Sequence, residues 1–216
     1  MTQQARLADY LALAPVVPVV VIDDAIHAIS LAEALLAGGI GIIEVTMRTE
    51  AALPAIAAMV RAVPRMVVGA GTVLTPSQYE QACAAGAQFI VAPGGTAPLL
   101  AAASQSKIPF LPGAATPSEV MTLRDAGFLL QKFFPAEPAG GIPMLKALAA
   151  PIPDVRFCPT GGISLSNASD YLALGNIACV GGSWLTPSTL VRAQNWTRIS
   201  ELAAQAAQLR QSLPPR

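Results

Sequence analysis

The chain has 216 residues, enough for one domain with a sizeable core, and 53% of them are hydrophobic against 12% charged, which excludes a disordered chain. Thirteen basic and thirteen acidic side chains cancel, so no long-range field recruits nucleic acid or an anionic membrane surface, and neither is expected as a partner. The charge-free segment 81–106 is broken by Pro93, Gly94, Gly95 and Pro98 and does not read as a membrane span.

At the N-terminus, MTQQARLADYLALAP contains Asp9 and lacks the basic, apolar and small-residue succession of a secretion signal, so a cytoplasmic address is expected. Residues 5–14 have the pattern of an amphipathic helix preceding the first strand, within an N-terminal segment 1–15 placed across the bottom of the fold. Eight apolar runs follow at regular intervals: 16–22, 41–47, 66–73, 87–93, 108–114, 128–134, 155–161 and 177–183. Most are rich in β-branched or aromatic residues and bounded by Gly or Pro, as expected of parallel strands buried on both faces. Between them, TPSQYEQACAAG, TPSEVMTLRDAG and SLSNASDYLALG each open on a capping hydroxyl and close on glycine, as helices do. In the first two, a proline occupies the opening helical position, where its missing N–H costs nothing. The alternation predicts an α/β fold, a single-domain (β/α)8 TIM barrel over residues 1–216 with an extra N-terminal helix. An open doubly wound sheet is the weaker alternative, since no GxGxxG follows the first strand.

Cys83, Cys158 and Cys179 have neither the spacing of a zinc site nor the density of a disulfide scaffold, so reduced, mostly buried thiols and no metal are expected. The single histidine, His27, has no nucleophile motif nearby and reads as a surface residue.

In a barrel the chemistry sits where the strands end, and few polar residues are available there. The second run ends EVTMR, so strand alternation puts Glu44, Thr46 and Arg48 on one face. An internal Glu44–Arg48 ion pair closing the mouth is one reading; an acid and a carboxylate-binding guanidinium is the other. The sixth run sets Lys132 in LLQKFFP, sharing parity with Leu130 and Phe134 and therefore facing the interior. A buried lysine either pairs with a carboxylate, here Glu44, or serves as a nucleophile. Free lysines are almost wholly protonated at neutral pH, and apolar surroundings or a nearby cation favour the neutral amine that adds to carbonyls. Lys107 precedes the fifth run and Lys146 lies mid-helix, so both are expected in solvent.

The third run ends GAGT, where Gly69 and Gly71 leave space and Thr72 offers a hydroxyl, unless Thr72 is merely a loop or cap residue. The runs ending APGGT, with Pro93, and PGAAT suit a floor under a small ligand. Two glycine pairs, in TGGIS (160–164) and VGGSW (180–184), follow the seventh and eighth runs, where such barrels cradle phosphate with backbone N–H groups. A single glycine pair is weak, because glycine also ends strands for steric reasons. The two together point to a phosphorylated small molecule, with Ser183 as a hydroxyl donor.

EVTMRTEAAL, VGAGTVL, KFFPAE, RFCPTGGIS and GGSWL together resemble the class I KDPG/KHG aldolase family over residues 16–184. The resemblance implies a homotrimeric (β/α)8 barrel that cleaves 2-dehydro-3-deoxy-6-phosphogluconate to pyruvate and glyceraldehyde 3-phosphate, with no metal and no cofactor beyond a covalent imine. By matching motif it implies Lys132 as the Schiff-base lysine and Glu44 as the proton carrier. Arg48 and Thr72 would hold the pyruvate carboxylate, Pro93 and Phe134 would line the substrate, and Thr160, Gly161, Gly162, Gly181, Gly182 and Ser183 would hold the phosphate. The stretch AEPAGGIP, with Pro138 and Pro143, is expected to form a stiff loop that bears on substrate breadth. An isomerase or epimerase using Glu44 without covalent chemistry, and a non-catalytic phosphometabolite-binding barrel, are the rival classes.

Overall fold

The computed structural model describes residues 2–209; Met1 and residues 210–216, which the expected boundaries 1–15 and 1–216 also take in, lie outside the described residues. The chain opens with α1 (Gln3–Leu11) and β1 (Val16–Val20). It continues through a 3-10 turn (Ala25–His27), α2 (Ala28–Ala37), β2 (Ile42–Thr46), α3 (Ala52–Ala62), β3 (Val67–Gly71) and α4 (Pro76–Ala84). Next come β4 (Phe89–Val91), α5 (Ala97–Gln105), β5 (Phe110–Leu111), β6 (Gly113–Ala114), α6 (Pro117–Asp125) and β7 (Leu130–Phe133). The last elements are α7 (Gly141–Ala149), β8 (Arg156–Pro159), α8 (Ala168–Leu172), β9 (Val180–Gly182), α9 (Ser188–Arg192) and α10 (Trp196–Gln208).

The strands pair in two ladders, β5-β4-β3-β2-β1-β9 and β6-β7-β8, every pairing parallel. The expected strand 108–114 is two short strands because Pro112 between them lacks the N–H that a ladder needs. Isolated parallel bridges Phe157↔Ile177 and Thr160↔Gly181 connect β8 to the β9 segment. All residues of β2 and of β7 are buried, as continuous apolar runs predict for strands covered on both faces. The one outward polar residue of β7, Gln131, donates its Nε2 to the carbonyls of Val120 and Phe128 beneath α6, while its Oε1 has no partner among the described residues. Buried apolar side chains from α1 to α10 form one connected cluster.

The N-terminal helix begins and ends earlier than its pattern suggested. Thr2 caps it by accepting from the Ala5 N–H at 3.1 Å, and it stops at Leu11 because Ala14, preceding Pro15, is held out of the helical region. Gln4 accepts from the N–H groups of Leu129 and Leu130, which seats α1 at the N-terminal edge of β7, opposite the strand ends that carry the polar residues. Thr75 and Thr116 cap α4 and α6 as predicted, and Gly86 and Gly127 end those helices at φ of +90° and +88°. The third expected helix is much shorter, only Ala168–Leu172, because Asn167 accepts from the Ser164 N–H and holds 164–167 as a turn. Pro143 lies within the first turn of α7 rather than in the preceding loop, at a position where it has no intrahelical bond to lose. His27 is half-buried, its ring 5.9 Å from that of Trp196, rather than a freely solvated surface residue. Cys158 and Cys179 are buried, Cys83 is half-buried, and none of the three is in a disulfide. Lys107 and Lys146 are exposed.

At α6, Thr116 and Glu119 form a reciprocal capping box that draws the Glu119 carboxyl below its ordinary value of 4.5, chiefly through the Ala115 N–H. A lowered acid stabilises the fold fully above its unfolded value and progressively less as pH falls through that value and on toward the folded one. Thr116→Ala is therefore expected to cost about 1 kcal/mol at neutral pH. Glu119→Gln should destabilise at pH 7 and progressively less as pH falls below the ordinary value of 4.5, as urea titration at neutral and acid pH would read.

Candidate active site

The deciding contact joins the two ladders. Glu44, the middle residue of β2, and Lys132, the third of β7, belong to different sheets, yet Lys132 Nζ lies 3.3 Å from Glu44 Oε1. Their side chains are only 6% and 4% exposed, so the pair spans the interior. Buried charges need such a partner, and each group supplies the other's. The alternative reading, a Glu44–Arg48 ion pair, does not form among the described residues.

Glycine makes the room. A Cβ on Gly71, which ends β3, would overlap Glu44 Oε1, and one on Gly69 would overlap the Phe89 ring, so the two small residues serve an acid and an aromatic separately. On the other side, Phe134 presents its ring 5.2 Å from Lys132 Nζ, a cation–π distance. Phe134 already lies beyond β7, at the cis peptide to Pro135. Pro93 and Phe134 line a cavity of about 380 Å³ together with Gly113, Ala114, Ser118 and Thr122. Gly113 is there because its α-carbon abuts the Pro93 carbonyl, leaving no space for a side chain.

Arg48 stands apart from the pair. β2 ends at Thr46, whose hydroxyl donates to the Val20 carbonyl, so strand alternation no longer governs position 48. The turn is anchored on both sides, by Met47 N–H to the Gly71 carbonyl and Thr49 Oγ1 to the Ile22 carbonyl, and holds Arg48 exposed with no ion pair among the described residues. Thr72 is half-buried in the left-handed region at φ 58°, a conformation that a β-branched side chain resists. It is not the cap of α4, since Thr75 fills that role.

At the other expected subsite, Thr160 bridges to Gly181, and a Cβ on Gly181 would overlap the Thr160 hydroxyl. A Cβ on Gly182 would overlap the Trp184 ring, and the Ser183 side chain is exposed just beyond β9. Gly161 and Gly162 have φ of +103° and +80°; the Thr160↔Gly181 bridge directs the Gly161 N–H at the Gly181 carbonyl, whereas the N–H groups of Gly162 and Ile163 donate to no acceptor among the described residues. Consecutive amides left open in this way make an anion-binding concavity. Sequence reasoning missed the residues behind this loop, Glu137, Asn167 and Tyr171. Asn167 had a local signal, an Asn three residues after Ser164, whereas the Tyr171–Glu137 contact spans 34 residues and had none.

No cluster of three His, Cys, Asp or Glu among the described residues could hold a metal ion, and no helix among them is long and apolar enough to cross a membrane. The family model for KDPG and KHG aldolases matches residues 7–202. The chain belongs to that family. It is 51% identical over 194 residues to the KHG/KDPG aldolase of Escherichia coli (strain K12), covering 90% of this chain and 91% of that one. The crystal structure of the KDPG aldolase of Legionella pneumophila, with pyruvate captured as a covalent carbinolamine, superposes with a TM-score of 0.91 at 48% identity, over 93% of this chain and 97% of that one. The aldolase of Zymomonas mobilis ZM4 with 3-phosphoglycerate superposes with a TM-score of 0.89 at 46% identity, over 95% of this chain and 97% of that one.

Proposed function

We propose that this chain is a class I aldolase that cleaves 2-dehydro-3-deoxy-6-phosphogluconate to pyruvate and D-glyceraldehyde 3-phosphate, and also 4-hydroxy-2-oxoglutarate to pyruvate and glyoxylate. The observation that carries the reading is the buried Lys132–Glu44 contact at 3.3 Å, made across the interior by two strands that do not pair. Membership of an aldolase family and the covalent carbinolamine of the Legionella relative support it.

In this mechanism the Lys132 amine, having given its proton to Glu44 or to water, adds to the C2 ketone. The resulting carbinolamine loses water to a protonated imine. Its nitrogen takes up the electron pair of the C3–C4 bond as a base, Glu44 acting through a water, removes the C4 hydroxyl proton. An aldehyde leaves and an enamine remains. The enamine takes a proton at C3 from the same carboxyl, and hydrolysis of the imine releases pyruvate and restores the lysine. Arg48, free of protein anions at the strand mouth, meets the substrate carboxylate as a bidentate fork, with the Thr72 hydroxyl beside it. Pro93 and Phe134 contact the carbon chain, and Phe134 keeps water from the amine. The open amides of Gly162 and Ile163, with Thr160, Gly161, Gly181, Gly182 and Ser183, receive the phosphate. No cofactor takes part.

The same proposal takes residues 1–216 as one domain, a closed eight-stranded barrel in which β5 and β6 are one strand interrupted at Pro112. The bridges from β8 to the β9 segment support that closure. It includes a homotrimer, which the family resemblance implies, and a cytoplasmic address, which three cysteines outside any disulfide support. A lactate dehydrogenase-coupled assay tests the activity: NADH should be consumed on addition of either substrate, fastest with the phosphorylated one. Tight phosphometabolite binding with no pyruvate released would leave only the binding-barrel reading.

A further inference from the structure

The peptide carbonyls of the 160–162 loop are all tied from behind. Thr160 O accepts from Ala136 N–H at 2.8 Å, Gly161 O from Glu137 N–H at 3.0 Å, and Gly162 O from Asn167 Nδ2 at 3.1 Å. In a planar trans peptide the N–H points opposite to the C=O. The three bonds therefore turn the N–H groups of Gly161, Gly162 and Ile163 away from these donors.

Three side chains keep the donors in place. Tyr171 is fully buried on α8, and its hydroxyl donates to Glu137 Oε1. A buried phenol needs such an acceptor, and burial together with this carboxylate pushes its ionisation up. The Glu137 side chain fills the space that a Cβ on Gly162 would need and approaches the start of α7 at Gly141, where negative charge is favoured. Asn167 is bonded in both directions, donating to Gly162 O and accepting from Ser164 N–H at 2.8 Å. None of the three hydrogen-bonds to Lys132 or Glu44 among the described residues.

We infer that Glu137, Tyr171 and Asn167 are positioning residues for phosphate recognition, holding the 161 and 162 carbonyls backward so that the successive amides of Gly162 and Ile163 face the substrate phosphate. The inference rests on the proposed phosphate subsite and adds to it the groups that set selectivity for a phosphorylated over an unphosphorylated keto acid. Their loss should act on phosphate affinity and leave the lysine chemistry alone.

The test compares Tyr171→Phe, Asn167→Ala and Glu137→Gln with the parent protein, using both keto acids and calorimetric binding of inorganic phosphate. Tyr171→Phe and Asn167→Ala should each raise KM for the phosphorylated substrate about tenfold and weaken inorganic phosphate comparably, while kcat/KM for 4-hydroxy-2-oxoglutarate stays within about twofold. Glu137→Gln retains an acceptor for Tyr171 and should behave nearly as the parent does. Parallel losses on both substrates, or unchanged phosphate binding in folded Tyr171→Phe and Asn167→Ala, would overturn the inference. Should the parent release no pyruvate from either keto acid, the aldolase reading fails, and the phosphate calorimetry still decides the role of the loop.

Discussion

Lys132→Arg is expected to abolish turnover, lowering kcat by roughly 10⁴-fold or more, because the guanidinium keeps the charge opposite Glu44 but cannot form an imine. Stability should report a different property of the same site. Lys132→Met removes the cation that pairs with a carboxylate that is 4% exposed, and an uncompensated buried charge costs about 3–5 kcal/mol. Removing the second charge as well, in Lys132→Met with Glu44→Gln, should recover most of that loss, since an isosteric uncharged pair avoids both desolvation penalties. Urea unfolding of the two single variants and the double variant at pH 7 would give this cycle directly. Equal stability of Lys132→Met and the parent protein would contradict a paired, buried lysine.

The second large effect concerns placement rather than chemistry. Glu44→Gln, which keeps size and loses the proton-carrying charge, should lower kcat by about 10²-fold or more. Gly71→Ala should lower kcat comparably although Glu44 itself is intact, because the added methyl overlaps Oε1 and forces the carboxyl away from Lys132. Gly71 is not in the left-handed region, so alanine can adopt its backbone and the fold should persist. Circular dichroism would confirm folding and steady-state kinetics would read the loss; an unimpaired Gly71→Ala would mean that the position of the carboxyl does not matter. Gly69→Ala gives the contrast, since there the methyl meets the Phe89 ring and the expected damage is to packing.

Lys132 and Glu44 could be read from the sequence because both lie inside strands, where alternation decides which face a side chain takes. The same rule does not reach Arg48, which stands on a turn two residues beyond Thr46, whereas Phe134, one residue past β7, still lies on the side of Lys132. Local chemistry predicted the caps at Thr75 and Thr116 and the strand break at Pro112 could have been predicted from its missing N–H, yet the run 108–114 reads as continuous by hydropathy alone. The helix after TGGIS was over-extended because Asn167 competes for backbone bonds with its side chain, an effect that hydropathy does not register. Gly71 was legible as space but not as space for Glu44, since that depends on the register Thr46↔Gly71 and Glu44↔Gly69 between β2 and β3. The contacts behind the phosphate loop depend on α8 packing against the segment after β7, which no local pattern encodes.

The most direct measurement is borohydride reduction of the protein in the presence of pyruvate, followed by digestion and mass spectrometry. A single reduced pyruvyl adduct on the peptide bearing Lys132, absent from Lys132→Arg, is the predicted result. Full activity after reduction, with an unmodified Lys132, would contradict a covalent imine and favour a base-catalysed isomerase or epimerase in which Glu44 acts alone.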